Sequence, residues 1–315
     1  MIYKTIVFLI KLILIMSKGS ILLGYARGAI GNIVLSRLKG QEVAKARNRH
    51  PNNPRTEAQV TQRALFADAV KFFVEGNQNL FPFSFEDKKI TESYYNAFMR
   101  HNAKRGVMIS PNASSYDGYP ALGNWVVTKG SLEGFEMIYN SEGPLSGVYA
   151  DLGRTETEMP ATVSEISTYF IANDIAKAGD IITGVKVLHT PADSIPSIEA
   201  TEANYKTKWT ITQFIVNTND TTNLETLGFR CKKAEVGIHR NHLLLSVDSY
   251  SVGEISCATL IRSQEISGGV LVSTQEMKGT EDYDIALEKC RTDNYKQLVL
   301  DAWDAKAKAI LQGGE

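Results

Sequence analysis

Between residues 121 and 275 apolar side chains recur at every second position in short runs, and this pattern constrains the chain more than any other. WTITQFIV from Trp209, HLLLSV from His242, SCATLI from Ser256 and GVLVST from Gly269 are all rich in β-branched and aliphatic residues. Gly, Asn, Asp and Pro separate them. A period of two is what a strand with one buried face requires. No amphipathic helical pattern intervenes between the runs, which excludes a βαβ succession and points to an antiparallel sandwich or barrel. With 315 residues and 43% hydrophobic side chains the chain can bury a substantial core, and it lacks the composition of an intrinsically disordered protein.

Helical signals flank this β-rich stretch. Thr56 begins a helix with a capping box to Gln59; Leu65, Phe66, Ala69, Val70 and Phe73 form its apolar face, and Gly76 ends it. A second helix is expected over 91–104, with Tyr94, Tyr95, Phe98 and Met99 as its apolar surface. A third runs over 282–311, with Tyr283, Leu287, Cys290, Tyr295, Leu298, Ala302, Trp303 and Ile310 near one face and a break expected at 292–294. In the connection LFPFSF, Phe83 and Phe85 are expected to pack as buried loop residues. Upstream, the glycine-punctuated segments ILLGYARG, AIGNIVLSRLKG and QEVAKAR read as strands and turns, with LKGQ at residues 38–41 a hairpin turn. The expected fold is therefore α+β: an antiparallel β-sandwich or barrel core, an amino-terminal β-hairpin, two helices after residue 56 and a carboxy-terminal helix. The expected divisions are 1–15, a basic hairpin and extended arm over 16–55, a helical segment over 56–110, the β core over 120–280 and the last helix over 281–312.

A formal net charge of −1 conceals an asymmetry. Residues 17–63 hold nine cations against Glu42 and Glu57, a surplus of seven, whereas residues 64–315 carry −10. Arg27, Arg37, Lys39, Lys45, Arg47, Arg49, Arg55 and Arg63 are the candidate contact residues. Seven of them lie on a backbone held extended by glycine turns and by Pro51 and Pro54. Such a stripe suits either phosphates or acidic protein surface.

Elements of catalysis are sparse. There is no GxSxG elbow, no GxGxxG fingerprint and no P-loop. The acids Glu281, Asp282 and Asp284 open a helix, where they favour its positive dipole end. Asp301 and Asp304 lie among lysines, as solvated helix surface does. Among the five histidines only His239 and His242 are close; alternation places them on opposite faces, no carboxylate flanks them, and they read as turn and surface residues. Cys231, Cys257 and Cys290, far apart, read as small buried hydrophobes of a reducing compartment. No catalytic residue, metal ligand, cofactor or small-molecule substrate is expected.

Residues 1–15, MIYKTIVFLIKLILI, are apolar but shorter than a spanning helix and split by Lys11. They read as an extension of the reading frame ahead of a start at Met16, with a signal-like or anchoring segment as the alternative. No membrane partner is expected.

The run MSKGSILLGYARGAIGN, followed by Ala46-Arg47-Asn48, NPRT at 53–56, Gln59 and Gln62-Arg63, resembles a pattern in predicted capsid proteins of small circular single-stranded DNA viruses from gut samples. Its NPRT…Q…QR core is also similar to an uncharacterised domain of gut Bacteroidota and their phages. LIRS at 260–263 and AIL at 309–311 look like further parts of it. The resemblance implies a virion structural protein that self-assembles in many copies and encloses DNA. It would reside in the virion, and in the host cytoplasm or nucleus during assembly. Single-stranded DNA is the second candidate partner, and a non-enzymatic nucleic-acid-binding protein of a phage or gut bacterium is the alternative function.

Overall fold

The computed structural model describes residues 17–18, 27–38, 41–48, 56–76, 80, 84–107, 122–141, 146–156, 158–190, 206–234, 238–251 and 253–312. The chain divides into two compact units, Met1–Arg55 and Thr56–Glu315.

The first unit is an antiparallel meander of β1 (Ser17–Lys18), β2 (Arg27–Ile30), β3 (Ile33–Leu38) and β4 (Gln41–Ala46), paired in chain order. Ile30 pairs with Ile33, so Gly31 and Asn32 form a two-residue turn, and Gly31 takes φ +56°, which favours glycine. Leu38 pairs with Gln41, the register that the expected turn at 38–41 demands. The expected hairpin is thus part of a four-stranded sheet. None of its described side chains is buried: Ile33 is 51% exposed, and Val34, Leu35 and Val43 are half-buried.

The second unit is α+β, with two antiparallel sheets facing each other across an apolar layer. One has the order β10 (Phe229–Lys233), β11 (His242–Val247), β7 (Gly147–Arg154), β6 (Glu136–Asn140). The other runs β13 (Gly269–Val272), β12 (Ile255–Ile266), β8 (Ile181–Thr190), β9 (Lys206–Ile215), with β15 (Lys278–Gly279) also paired to β12. Two-residue periodicity sorts their side chains. Ala150, Leu152, Leu243 and Leu245 from one sheet meet Ile182, Phe214 and Leu260 from the other. Gly184 lies at a close approach of the sheets: a Cβ there would stand 2.5 Å from Val247 Cγ2 and 2.8 Å from Phe229 Cε1.

The opposite face of the β12–β8–β9 sheet carries Val185, Val187, Ile255, Cys257 and Ile261, covered by helices. These are α1 (Glu57–Gly76), α2 (Tyr94–Asn102), α4 (Glu281–Arg291) and α5 (Asp293–Gln312). Trp125, beside the short strand β5 (Val126–Thr128) that pairs with β14 (Gln275–Glu276), is fully buried and stacks on Phe72 at 4.8 Å. Phe85 is buried as expected, its ring stacked on His101 at 5.6 Å; Phe83 lies outside the described residues.

The helices differ in detail from expectation. In α1 the buried stripe is Val60, Ala64, Asp68, Ala69, Phe72 and Phe73, whereas Phe66 is 43% exposed, because the packed face is rotated toward Trp125. Helix α2 starts at Tyr94 rather than Thr91, because the Ser93 hydroxyl accepts the Asn96 N–H and caps it there. The carboxy-terminal helix does break, at Thr292, whose φ/ψ of −63°/148° is extended; beyond it Val299 is buried and Leu298 exposed. The periodicity misses an α-helix within the β core, α3 (Val163–Ala172), which closes the sandwich with Val163, Ile166 and Phe170. Within the described residues no helix is long and apolar enough to cross a membrane.

Candidate functional site

Two described cations of the first unit, Arg37 and Lys45, sit on paired strands that send them to opposite faces of the sheet. Arg37 lies opposite Glu42 in register, and Lys45 opposite Val34. Positions 34 and 37 differ by an odd number, so Arg37 and Lys45 project from opposite faces. Both are exposed. Arg47 follows β4, is exposed, and donates its backbone N–H to the Asn32 carbonyl at 2.6 Å. Arg27 is paired with Lys18 across β2 and β1. Arg63 is in the second unit, exposed on α1. Lys39, Arg49 and Arg55 lie outside the described residues. Among the described residues, Arg37 and Lys45 therefore do not share one face, since pairing of β3 with β4 sends them to opposite sides of the meander.

A second cluster was not expected. Asp151, on β7, accepts from His239 Nδ1 at 2.8 Å and from His242 Nδ1 at 2.9 Å. The two imidazoles meet edge to face with centroids 5.5 Å apart. The reading that separates these histidines and gives them no carboxylate is corrected here, and the reasons are local. Asp151 is directly opposite Leu244 on the neighbouring strand, and His242 shares that face of β11 by alternation. The pairing then shifts at a bulge between His242 and Leu244, with Gly153 at φ +90° donating its N–H to Asp151 Oδ1 at 2.9 Å. His239 is brought back by a turn in which Asn241 adopts φ +65°, a left-handed conformation uncommon outside glycine. Hydrogen bonds hold that turn: Asn241 N–H to Ala234 O, His242 N–H to His239 O, and Thr155 N–H to Asn241 O.

Electrostatics favour a charged Asp151. Burial opposes the charge, but the Gly153 amide and the two imidazoles together hold its carboxyl below the ordinary aspartate value. The Asp151 side chain is only 8% exposed, whereas His239 and His242 are 25% and 27% exposed, so the cluster opens to solvent through its imidazoles. Beside it a cavity of about 240 Å³ is bordered by Glu133, Glu136, Asp151 and Asp174. Glu136 is the cross-strand partner of Asp151 on β6. Two imidazole nitrogens and a carboxylate oxygen, all within 4.8 Å, form the one group of metal-ligand type among the described residues.

The cysteines are chemically quiet. All three are free, and burial pushes each thiol up to about 12, so they are protonated near neutrality and poor nucleophiles.

Residues 25–137 match a family of unknown function (DUF6266), a stretch that begins before β2 and ends within β6. No curated protein and no solved structure matches the chain. Asp151, His239 and His242 lie beyond the matched stretch.

Proposed function

We propose that this chain is a virion structural protein, a capsid subunit that assembles with copies of itself and encloses a DNA genome. One observation carries the reading: the amino-terminal unit is a four-stranded sheet in which no described side chain is buried. Small sheets without a covered face are marginal in water, and their apolar rows and edge strands are stabilised by a partner. Each face here alternates apolar and cationic positions: Ile33 and Leu35 with Arg37 on one, Val34 and Val43 with Lys45 on the other. The partner that fits both is a protein surface with apolar and acidic groups, which residues 64–315 of a second copy, at −10, supply. Strand addition along β4 would contribute main-chain hydrogen bonds as well. The virion and the assembling host cell are the compartments that go with this reading.

Single-stranded DNA is the second reading, favoured by the exposed guanidinium groups of Arg37 and Arg47. A lone strand cannot track Arg37 and Lys45 together, because they leave the sheet on opposite sides, and this ranks nucleic acid below protein contact. The test is a full-length variant carrying Arg37→Glu, Lys45→Glu and Arg47→Glu, followed by size exclusion. The wild type is expected to elute as large assemblies and the variant at subunit or dimer size; identical profiles contradict the proposal. Salt-titrated binding to oligodeoxythymidine separates the second reading, each lost phosphate contact lowering the log–log slope by about 0.7.

A further inference from the structure

We propose that Asp151, His239 and His242 form a binding site for a divalent transition-metal ion, with zinc as its natural class of occupant. Three observations converge. The donor atoms Nδ1, Nδ1 and a carboxylate oxygen lie within 4.8 Å of one another, although His239 and His242 are 88 and 91 residues from Asp151 in sequence. The backbone departs from regular geometry on both sides of the cluster to bring them there, with Asn241 at φ +65° and a bulge in the β11–β7 pairing. Non-glycine residues in that region are costly, and they concentrate where a side chain must be aimed. Finally, the carboxylate is nearly buried while both imidazoles reach solvent, which gives an ion a path in and a low-dielectric seat.

The donor set selects the cation. Calcium and magnesium take six or more oxygen ligands or keep most of their water, and two imidazoles with one carboxylate do not serve them. Imidazole nitrogen with carboxylate oxygen suits zinc and its first-row neighbours. Zinc sits about 2.0–2.2 Å from such donors, so a tetrahedral arrangement separates them by about 3.3 Å. The Asp151–imidazole contacts of 2.8–2.9 Å therefore open by a few tenths of an ångström, while donors spread over as much as 4.8 Å draw together around the ion. In the bound state each neutral imidazole carries its proton on Nε2 and directs the Nδ1 lone pair at the ion. Three protein ligands leave a fourth position, open to water or to Glu136, which faces Asp151 across β6 and β7. Held this way, the ion ties the 239–242 turn to β7.

The test uses the full-length protein freed of metal by chelation. Calorimetric titration with zinc sulfate is expected to give one equivalent bound, and cobalt(II) in its place to give the intense visible bands of a tetrahedral site. Joint His239→Ala and His242→Ala substitution should weaken zinc binding by about 100-fold or more, since even indirect partners of metal ligands are worth 10–100-fold. Thermal melts report whether that variant is folded. A second measurement on the unaltered protein stands whatever they show: zinc should shift the ring Nδ1 resonances of His239 and His242. No heat of binding and no movement of those two resonances overturns the proposal, leaving the three groups as a hydrogen-bonded brace. Equal zinc affinity in the folded double variant overturns it too.

Discussion

Replacing Asp180 by alanine is expected to cost about 3–5 kcal/mol, because it strands a buried guanidinium. Asp180 is fully buried, and its Oδ2 accepts from Arg262 Nε at 2.7 Å and from the Lys177 backbone N–H at 2.8 Å. Arg262, 8% exposed, also donates from Nη1 to the Ile175 carbonyl at 2.8 Å. The pair thus locks β12 to the segment entering β8 at one end of the sandwich. Removing the carboxylate leaves the Ile175 carbonyl as the charge's named partner in a nearly buried site. Domains have about 5–15 kcal/mol of stability, so the variant should lose a large part of its urea midpoint. Asp180→Leu combined with Arg262→Met should recover most of the loss, because an apolar pair of similar volume has no charge to desolvate. A single substitution as mild as an ordinary surface change, below about 0.5 kcal/mol, would contradict this account of the pair.

Acidification should expose a second weakness, at His189. Its imidazole is buried, stacks on Tyr283 at 5.8 Å, and has no hydrogen-bond partner for either ring nitrogen among the described residues. Burial, reinforced by the positive charge of Lys71, lowers its value to about 3 from the usual 6.5. The folded state therefore binds fewer protons than the unfolded state between those two values. Stability attributable to this residue is intact above pH 6.5 and falls as pH drops toward 3. From pH 7 to pH 4 the loss amounts to about 3 kcal/mol. Asp68 acts with the opposite sign: burial pushes its carboxyl well above the ordinary range, so its penalty fades on acidification. Comparing His189→Phe with the wild type by urea denaturation at both pH values removes that and every other shared contribution. The variant's relative stability should rise by about 3 kcal/mol from pH 7 to pH 4. A difference that does not change with pH would show that His189 is charged in the fold or is not sealed from water.

How far the sequence discloses this architecture depends on how local each signal is. The short aliphatic run HLLLSV gives β11 at its own bounds, and the two-residue connection between Leu38 and Gln41 gives the register of β3 and β4. Acids at 281, 282 and 284 and the break near residue 292 likewise correspond to observed helix ends. Helix α3 is concealed among strands, but its start is written locally: Thr162 and Glu165 form a capping box, the Thr162 hydroxyl accepting the Glu165 N–H and the Glu165 carboxylate accepting the Thr162 N–H. Attention to T-x-x-E would have found it. The burial of Phe72 in place of Phe66 is different, because five apolar residues on α1 leave its rotation open until the Trp125 ring fixes it. The histidine–aspartate cluster is the least legible. It needs β7 beside β11, a bulge between them and a left-handed Asn241, and none of these is encoded near the histidines in a form periodicity can read. The placement of Arg37 and Lys45 on opposite faces follows from the same cause: strand pairing decides which side each cation leaves.

In the proposed function the basic amino-terminal sheet completes itself on another copy of the chain. Sedimentation velocity of the purified full-length protein at physiological ionic strength tests it most directly. The expected result is a discrete, fast-sedimenting boundary that dissolves into slower species as salt is raised, with closed particles in negative-stain micrographs of the same sample. A single boundary at the mass of one 34.8 kDa chain, unchanged by concentration or salt, would contradict it.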